Sequence, residues 1–181
     1  MSDAAAGMEV GRGVARGGRR WKIPLAGLVL VSGVWFSWSA VCPCERTPGG
    51  VLFGSVESGQ ITDWSFANDV PLCQIQVGRI PYSINLNCMA TPSGELFVSC
   101  SACSGKRWSG IVLDNSNVRL RLDDTVYPVT ATRVLDDSAL DEAWRARVDK
   151  LQVHGGGPVN ATPAPDAVRP DHWWSFQLTS R

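Results

Sequence analysis

The sequence predicts a mainly-β (α+β) domain, a closed or sandwiched antiparallel sheet of six or seven short strands with one helix in the C-terminal half. Two observations favour this fold class. Apolar and polar residues alternate in several short segments between residues 51 and 135, separated mostly by turn residues, which is typical of antiparallel sheets. A longer apolar stripe at helical spacing follows at residues 138–152, so a doubly wound α/β fold is disfavoured.

The first 50 residues are predicted to precede the folded domain. Residues 1–22 are rich in Gly, Ala and Arg without an apolar period, and we expect a disordered basic tail. The next segment begins at Ile23, ends at Val41 and contains no charged residue. It approaches the length of about 20 residues that a membrane-spanning helix needs. Residues 42–50 are a Pro/Gly linker, and residues 51–181 form the domain.

The placement of charge predicts the orientation of this anchor. Five basic residues precede it and the next one is Arg46, so the positive-inside rule keeps the N-terminus in the cytoplasm and exports the domain. We therefore expect a single-pass protein of the bacterial inner membrane with a periplasmic domain. The alternatives are a cleaved signal peptide, for which Trp38 fits the cleavage site poorly, a lipoprotein signal ending at Cys42, and a buried soluble helix.

Each strand of the domain is assigned from its alternation and from the turn residues at its ends. Residues 62–69 are predicted to form a loop or a short helical turn. Asp123 and Asp124 form the turn between two successive strands, and residues 154–171 are a long loop rich in Gly and Pro. The predicted strands are residues 51–56, 72–78, 82–90, 95–101, 117–124, 125–135 and 173–180.

The hairpin of residues 82–101 is the most informative stretch. Its turn, Thr91-Pro92-Ser93-Gly94, suits a type I turn followed by a left-handed residue. Pairing Thr91 with Glu95 brings Cys88 opposite Val98 and Leu86 opposite Cys100. One face is then apolar and belongs to the core. The other face is polar and available, and it carries Ser83, Asn85, Asn87, Ser99 and Ser101.

The predicted helix begins at Ser138, with Asp141 three residues later as in a capping box. Its apolar stripe consists of Leu140, Trp144, Val148 and Leu151. The acids at residues 136, 137, 141 and 142 suit the positive end of the helix dipole better than acid–base catalysis. No Ser-His-Asp or Cys-His arrangement emerges, so no catalytic residue is assigned.

The six cysteines follow the predicted anchor, where disulfides are permitted. Six cysteines allow fifteen pairings, and the sequence does not choose among them. Cys100 and Cys103 form a Cys-x-x-Cys pair, which suits redox chemistry, a metal or plain apolar packing. No second such pair follows and both histidines lie in or beside the long loop, so no metal site is predicted.

Lys106 and Arg107 follow the small-residue loop CSACSG. Hydroxyl and backbone N–H groups of this loop could hold phosphate oxygens while the two cations neutralise the charge. The alternative is a solvated basic turn. The whole chain carries 17 basic and 17 acidic residues and a net charge of zero, which gives nucleic-acid binding no electrostatic support.

Four elements follow one another in a characteristic order: a strand headed by an Arg, a hairpin ending in LFVSCSACSGKRW, the short helical span SGIVLDNSN and the strand VRLRL. This order resembles the pyridoxamine 5′-phosphate oxidase-like family of split β-barrel flavin-binding proteins. The similarity covers about residues 51–178. The chain looks closest to uncharacterised bacterial members with an N-terminal membrane anchor and an Asp-Trp-Ser-Phe segment, here residues 63–66.

This resemblance implies a split β-barrel, a homodimer, and FMN or the deazaflavin F420 bound between subunits. The implied cofactor-binding residues are Arg79, Ser83, Asn85, Ser99, Ser101, Lys106, Arg107 and Trp108. The chain departs from the family pattern at Asn115-Ser116, where Asn-Pro is usual, and in the two cysteines of its loop. Substrate-side residues of true pyridoxamine phosphate oxidases have no clear match, so that activity is not carried over.

The predicted function is therefore a membrane-anchored, flavin-dependent oxidoreductase that acts on an unknown small molecule. In such enzymes the flavin carries the chemistry, and the protein binds and orients it. The alternatives are a non-catalytic flavin- or ligand-binding domain at the membrane, and a structural β-barrel that has lost its cofactor.

Overall fold

A computed structural model of the chain describes residues 22–39, 43–44, 46–156 and 160–181. The chain divides into two compact units, Met1–Phe36 and Ser37–Arg181. Helix α1 spans Lys22–Ser39, and the large apolar side chains of residues 28–36 are exposed. Apart from Lys22, the predicted basic tail lies outside the described residues, and so does Cys42.

None of the helices in the described part of the chain is long and apolar enough to cross a membrane.

The second unit is built on one eight-stranded sheet. Seven of its strands follow the order β3-β2-β6-β7-β8-β5-β4, and the eighth strand, β1, pairs with β7 outside this order. Neighbouring strands in this order are antiparallel, whereas β1 and β7 are parallel. The strands are β1 (Ser55–Val56), β2 (Cys73–Val77), β3 (Tyr82–Leu86), β4 (Cys88–Ala90), β5 (Leu96–Ser101), β6 (Asn117–Leu122), β7 (Thr125–Arg133) and β8 (Trp173–Ser180).

The two edges of this sheet meet at Asn87. Strand β3 is one edge and β4 is the other, yet the two strands are separated in sequence by this one residue. The sheet must therefore curl until its edges converge, which makes it an antiparallel half-barrel that is split at Asn87. The predicted fold class, a mainly-β antiparallel split barrel, is confirmed.

Two helices and two short 3₁₀ turns complete the domain. Helix α2 (Arg107–Asp114) follows β5, and helix α3 (Asp137–His154) lies between β7 and β8. The 3₁₀ turns are Ser65–Asn68 and Cys103–Gly105. Helix α3 begins earlier than predicted, because the Asp136 side chain accepts a hydrogen bond from the Ala139 N–H at 2.9 Å and acts as the N-cap in place of Ser138.

Apolar side chains pack on both surfaces of the curled sheet. The interior cluster contains residues from most strands together with Trp108 and Val112 of α2. A smaller cluster on the outer surface joins Met89 and Phe97 to Ala143 and Ala146 of α3. Helix α3 therefore covers the outside of β4 and β5, while α2 contributes to the barrel interior.

The predicted hairpin is partly correct. Cys88 faces Val98 as predicted, in the ladder between β4 and β5. The predicted pairing of Leu86 with Cys100 is wrong, because the strand breaks at Asn87 and Leu86 pairs with Cys73 of β2. The alternation of residues continues through the break, so the sequence pattern does not reveal it.

The polar face of that hairpin was predicted to be available, but three of its five residues are buried. Ser83, Asn87 and Ser99 are all buried, and β8 pairs with β5 along its whole length. The first predicted strand is also shorter than expected: of residues 51–56, β1 includes Ser55 and Val56.

Candidate anion-binding site

The loop after β5 is held in shape by three local features. A disulfide joins Cys100 to Cys103, which settles one of the pairings that the sequence left open. Ala102 between them adopts a left-handed conformation with φ 49°, which few non-glycine residues do. The buried Ser109 hydroxyl bonds to the Cys103 carbonyl and lies 2.8 Å from the Lys106 carbonyl, so the loop is tied to the first turn of α2.

This loop places two cationic residues at the start of α2. Lys106 is the N-cap position and Arg107 is the first helical residue, with no acidic residue in the first turn. The first N–H groups of a helix have no carbonyl partner within the helix, and the helix dipole adds partial positive charge there. The Arg107 guanidinium lies 4.6 Å from the centre of the Tyr82 ring on β3, a cation–π contact that orients it.

A cavity of about 440 Å³ lies between α2, β3 and the chain segment before the barrel. Among its described lining residues the charged side chains are all cationic, namely Arg46, Lys106 and Arg107. Thr47 and Asn85 are neutral and polar, and the remaining wall is formed by Tyr82, Ile84, Leu86 and Trp108. A concave site with clustered positive charge and an aromatic and aliphatic wall suits a flat organic ligand that carries an anionic group.

Arg46 and Thr47 come from residues 42–50, which the sequence assigns to a linker. Cys44 and Thr47 form an antiparallel bridge, and Gly49 forms another with Ser83 of β3, with N···O distances of 2.9 Å in both directions. The Leu52 N–H also donates to the Gln76 side chain at 2.8 Å. The described part of this segment therefore adds to the edge of β3 and contributes one wall of the cavity.

Four of the eight sequence-predicted site residues meet at this cavity: Asn85, Lys106, Arg107 and Trp108. The Ser99 hydroxyl instead lies 2.7 Å from the Ser175 hydroxyl of β8, and both side chains are buried. Ser101 ends β5 opposite Trp173, and Arg79 lies in the turn between β2 and β3. Ser83 is buried where residues 46–52 cover β3, and its hydroxyl has no hydrogen-bond partner among the residues that the structure describes.

Sequence reasoning missed five lining residues, Arg46, Thr47, Tyr82, Ile84 and Leu86. Arg46 had one available signal, because it is the first basic residue after the apolar segment. Its position beside β3 depends on a bridge between residues 34 positions apart, Gly49 and Ser83, and local patterns do not encode such pairings.

Within the described residues, no group of three or more His, Cys, Asp or Glu side chains is arranged to hold a metal ion.

No protein-family model and no curated protein matches the chain. Solved structures with a similar fold include a putative pyridoxamine 5′-phosphate oxidase from Listeria innocua, with TM-score 0.45, 10% identity, and 63% of this chain and 86% of that one covered. A conserved hypothetical protein from Mycobacterium tuberculosis gives TM-score 0.43 and 13% identity, with 70% and 86% covered. A pyridoxamine 5′-phosphate oxidase-related, FMN-binding protein from Nostoc punctiforme gives TM-score 0.39 and 13% identity, with 64% and 71% covered.

Proposed function

We propose that this protein binds FMN in the cavity between α2 and β3 and uses it for redox chemistry on a small molecule. The observation that carries the proposal is the composition of the cavity wall. Its described charged residues, Arg46, Lys106 and Arg107, are all cationic, and they stand beside an aromatic and aliphatic surface. FMN combines a phosphate with a flat, largely apolar ring system, so it matches both parts of this wall.

The phosphate is assigned to the start of α2. Lys106 and Arg107 supply charge-assisted hydrogen bonds, and the helix N-terminus adds its partial positive charge. The disulfide and the Ser109 hydroxyl fix the loop that carries these cations. Little conformational entropy is then lost when the anion binds, because the donors are already positioned.

The ring system is assigned to the wall formed by β3 and Trp108. Tyr82, Ile84 and Leu86 alternate along the strand and present apolar surface to the cavity. The Asn85 side chain also lines the cavity. When bound, FMN supplies the capacity to accept and release electrons, and the residues of this chain bind the flavin and orient it.

F420 is the alternative cofactor, since it also joins a flat ring to a phosphate.

The proposal also includes membrane anchorage through residues 23–41, a periplasmic domain and a homodimer. These three features rest on the sequence alone. No direct contact with the phosphate is assigned to the four residues away from this cavity, Arg79, Ser83, Ser99 and Ser101.

A second function, ligand binding without catalysis, is favoured by one observation. The described lining residues include no His, Cys or carboxylate, so none of them is an ordinary general base beside the ligand. A bound flavin performs hydride chemistry without such a base. Turnover of a reductant by the flavin-loaded protein therefore separates the oxidoreductase from the binder.

The central experiment is a titration of the full-length protein with FMN, followed by quenching of flavin fluorescence. The double variant Lys106→Ala with Arg107→Ala should weaken binding by at least about tenfold, because each charge-assisted hydrogen bond contributes about 1.5–3 kcal/mol. Arg145→Ala is the matched control, since Arg145 is an exposed arginine on α3. Equal affinity of the double variant and the control would refute the proposed site, and no binding of FMN or F420 by the wild type would refute the function.

A further inference from the structure

Two thiols and one ammonium group are buried together where the barrel is split. Cys73 begins β2, Cys88 begins β4, and Lys150 reaches them from α3. Both cysteines are 0% exposed and Lys150 is 5% exposed. The cavity between α2 and β3 does not include these residues, so their chemistry is separate from the proposed flavin site.

The Lys150 ammonium is fixed by two backbone carbonyls. Its Nζ donates to the Ala67 carbonyl at 2.7 Å and to the Cys88 carbonyl at 2.6 Å, and it lies 4.0 Å from the Cys88 Sγ. In the described part of the chain, no carboxylate forms an ion pair with it. A buried charge is stable when a neighbouring group compensates it, and the adjacent group that can become an anion is the Cys88 thiol.

The two cysteines differ in protonation. Burial disfavours both thiolates, but the hydrogen bond from the Cys73 side chain and the charge of Lys150 outweigh it at Cys88, whose pKa is lowered. Burial, and then the interaction with Cys88, raise the pKa of Cys73 well above its ordinary value. Cys88 is therefore suited to act as the nucleophile, and Cys73 remains a protonated thiol beside it.

The register of the strands places these sulfurs on opposite sides of the split. Cys73 pairs with Leu86, the last residue of β3, and Cys88 follows two residues later at the start of β4. The hydrogen-bonded ladders do not pair β2 with β4. A bond between the two sulfurs would therefore join strands that the sheet itself leaves unpaired.

A second cavity reaches Lys150 of this cluster, and neither cysteine lines it. It measures about 520 Å³, and its lining includes Lys150, Asn68 and Ala90. Lys150 lines this cavity, and its Nζ lies 4.0 Å from the Cys88 sulfur. Because Cys88 is fully buried, an oxidant that reaches its sulfur must be small, and hydrogen peroxide is small.

We propose that Cys88 and Cys73 form a peroxide-reactive dithiol site that closes the barrel split when it is oxidised. The Cys88 thiolate attacks one oxygen of hydrogen peroxide, the O–O bond breaks, and Cys88 sulfenic acid and hydroxide form. That hydroxide takes the proton of the Cys73 thiol and becomes water. The Cys73 thiolate then attacks the Cys88 sulfur, the S–O bond breaks, and a Cys73–Cys88 disulfide and one hydroxide form. Cys88 and Cys73 are oxidised together by two electrons, which reduce the peroxide.

The test uses the full chain with Cys42→Ser and Cys44→Ser, treated with hydrogen peroxide and mapped by mass spectrometry. Trypsin cuts after Arg79 and separates Cys73 from Cys88, so a disulfide between them appears as a cross-link of peptides 47–79 and 80–106. Peptide 80–106 also contains Cys100 and Cys103, so fragmentation between residues 88 and 100 assigns the bond to Cys88. We expect this cross-link. Failure to form it at peroxide concentrations that oxidise free cysteine would overturn the proposal.

Single substitutions assign the roles. Cys73→Ser should stop the reaction at Cys88 sulfenic acid, which a 1,3-dione reagent traps, whereas Cys88→Ser should leave Cys73 unoxidised. Sulfenic acid on Cys73 in the second variant would contradict these roles. Lys150→Met should slow trapping about tenfold, and Lys150→Arg should restore the rate because the cation is kept. Equal trapping rates in folded Lys150→Met and wild type would show that Lys150 does not activate Cys88. If Lys150→Met does not fold, the outcomes of Cys73→Ser and Cys88→Ser test the proposal.

Discussion

The guanidinium of Arg107 lies 4.6 Å from the centre of the Tyr82 ring, so the first residue of α2 is stacked on the edge strand of the barrel. This contact joins the two walls of the cationic cavity. It also restricts a long side chain that is otherwise exposed, and this favours binding of an anion by a preorganised cation.

We expect Tyr82→Leu to weaken FMN binding about two- to fivefold, because an exposed cation–π contact contributes about 0.5–1 kcal/mol. Tyr82→Phe keeps the ring and should bind as the wild type does. Fluorescence titration of the three proteins measures the difference. Equal weakening by Leu and Phe would instead assign the effect to the tyrosine hydroxyl, and unchanged binding by Leu would show that the contact does not orient Arg107.

The Ser109 hydroxyl is predicted to stabilise the cationic loop. It is buried and bonds to the carbonyl of Cys103, with the Lys106 carbonyl 2.8 Å away. Ser109→Ala leaves these carbonyls without that donor, so the free energy of unfolding should fall by about 1–3 kcal/mol. Ser104→Ala is the matched control, because Ser104 is exposed in the same loop. Urea unfolding measures both, and similar stabilities would rule out this role.

The segment before β8 is held against α3 by side chains of that helix. The Trp144 Nε1 donates to the Ala167 carbonyl at 2.7 Å, and its ring packs edge-on against Trp173 at 5.1 Å. Trp144→Phe keeps an aromatic ring but removes the donor, so we expect a loss of about 1 kcal/mol in unfolding free energy. Hydrogen exchange in residues 160–171 should become faster. Val153→Ala on the exposed surface of α3 is the control, and equal exchange in both variants would contradict this role of Trp144.

Local alternation predicted individual strands well and their partners less well. The half-buried pattern of β2 and the Cys88–Val98 pair were both confirmed, because side-chain period and turn chemistry are local properties. The split at Asn87 leaves the alternation unchanged, so nothing in the pattern reveals that β3 pairs with β2 rather than with β5. Such pairings are decided by contacts between distant parts of the chain.

In the candidate site too, the sequence predicted residues that are adjacent in the chain and missed those brought together by long-range contacts. Lys106 and Arg107 were found from sequence because both cations and the small-residue loop before them are adjacent in the chain. Arg46 was missed because its place depends on the bridge between Gly49 and Ser83. Ser99 was expected on an available polar face, but β8 lies beside β5 and brings Ser175 opposite Ser99.

This serine pair yields the last prediction. The Ser99 and Ser175 hydroxyls lie 2.7 Å apart and both side chains are buried. Ser99→Ala or Ser175→Ala leaves one buried hydroxyl without its partner, so each should lower the unfolding free energy by about 1–2 kcal/mol. The double variant removes both polar groups and should lose less than the sum of the single losses.

The same variants separate a structural role of Ser99 from a role in ligand binding. Because its hydroxyl is bonded to Ser175 and does not line the cationic cavity, FMN affinity of Ser99→Ala should stay within about twofold of the wild type. Strictly additive stability losses would show that the two hydroxyls are not coupled. A tenfold loss of affinity with unchanged stability would instead assign Ser99 to the phosphate, as the family resemblance implies, and would move the anion site from the start of α2 towards β5.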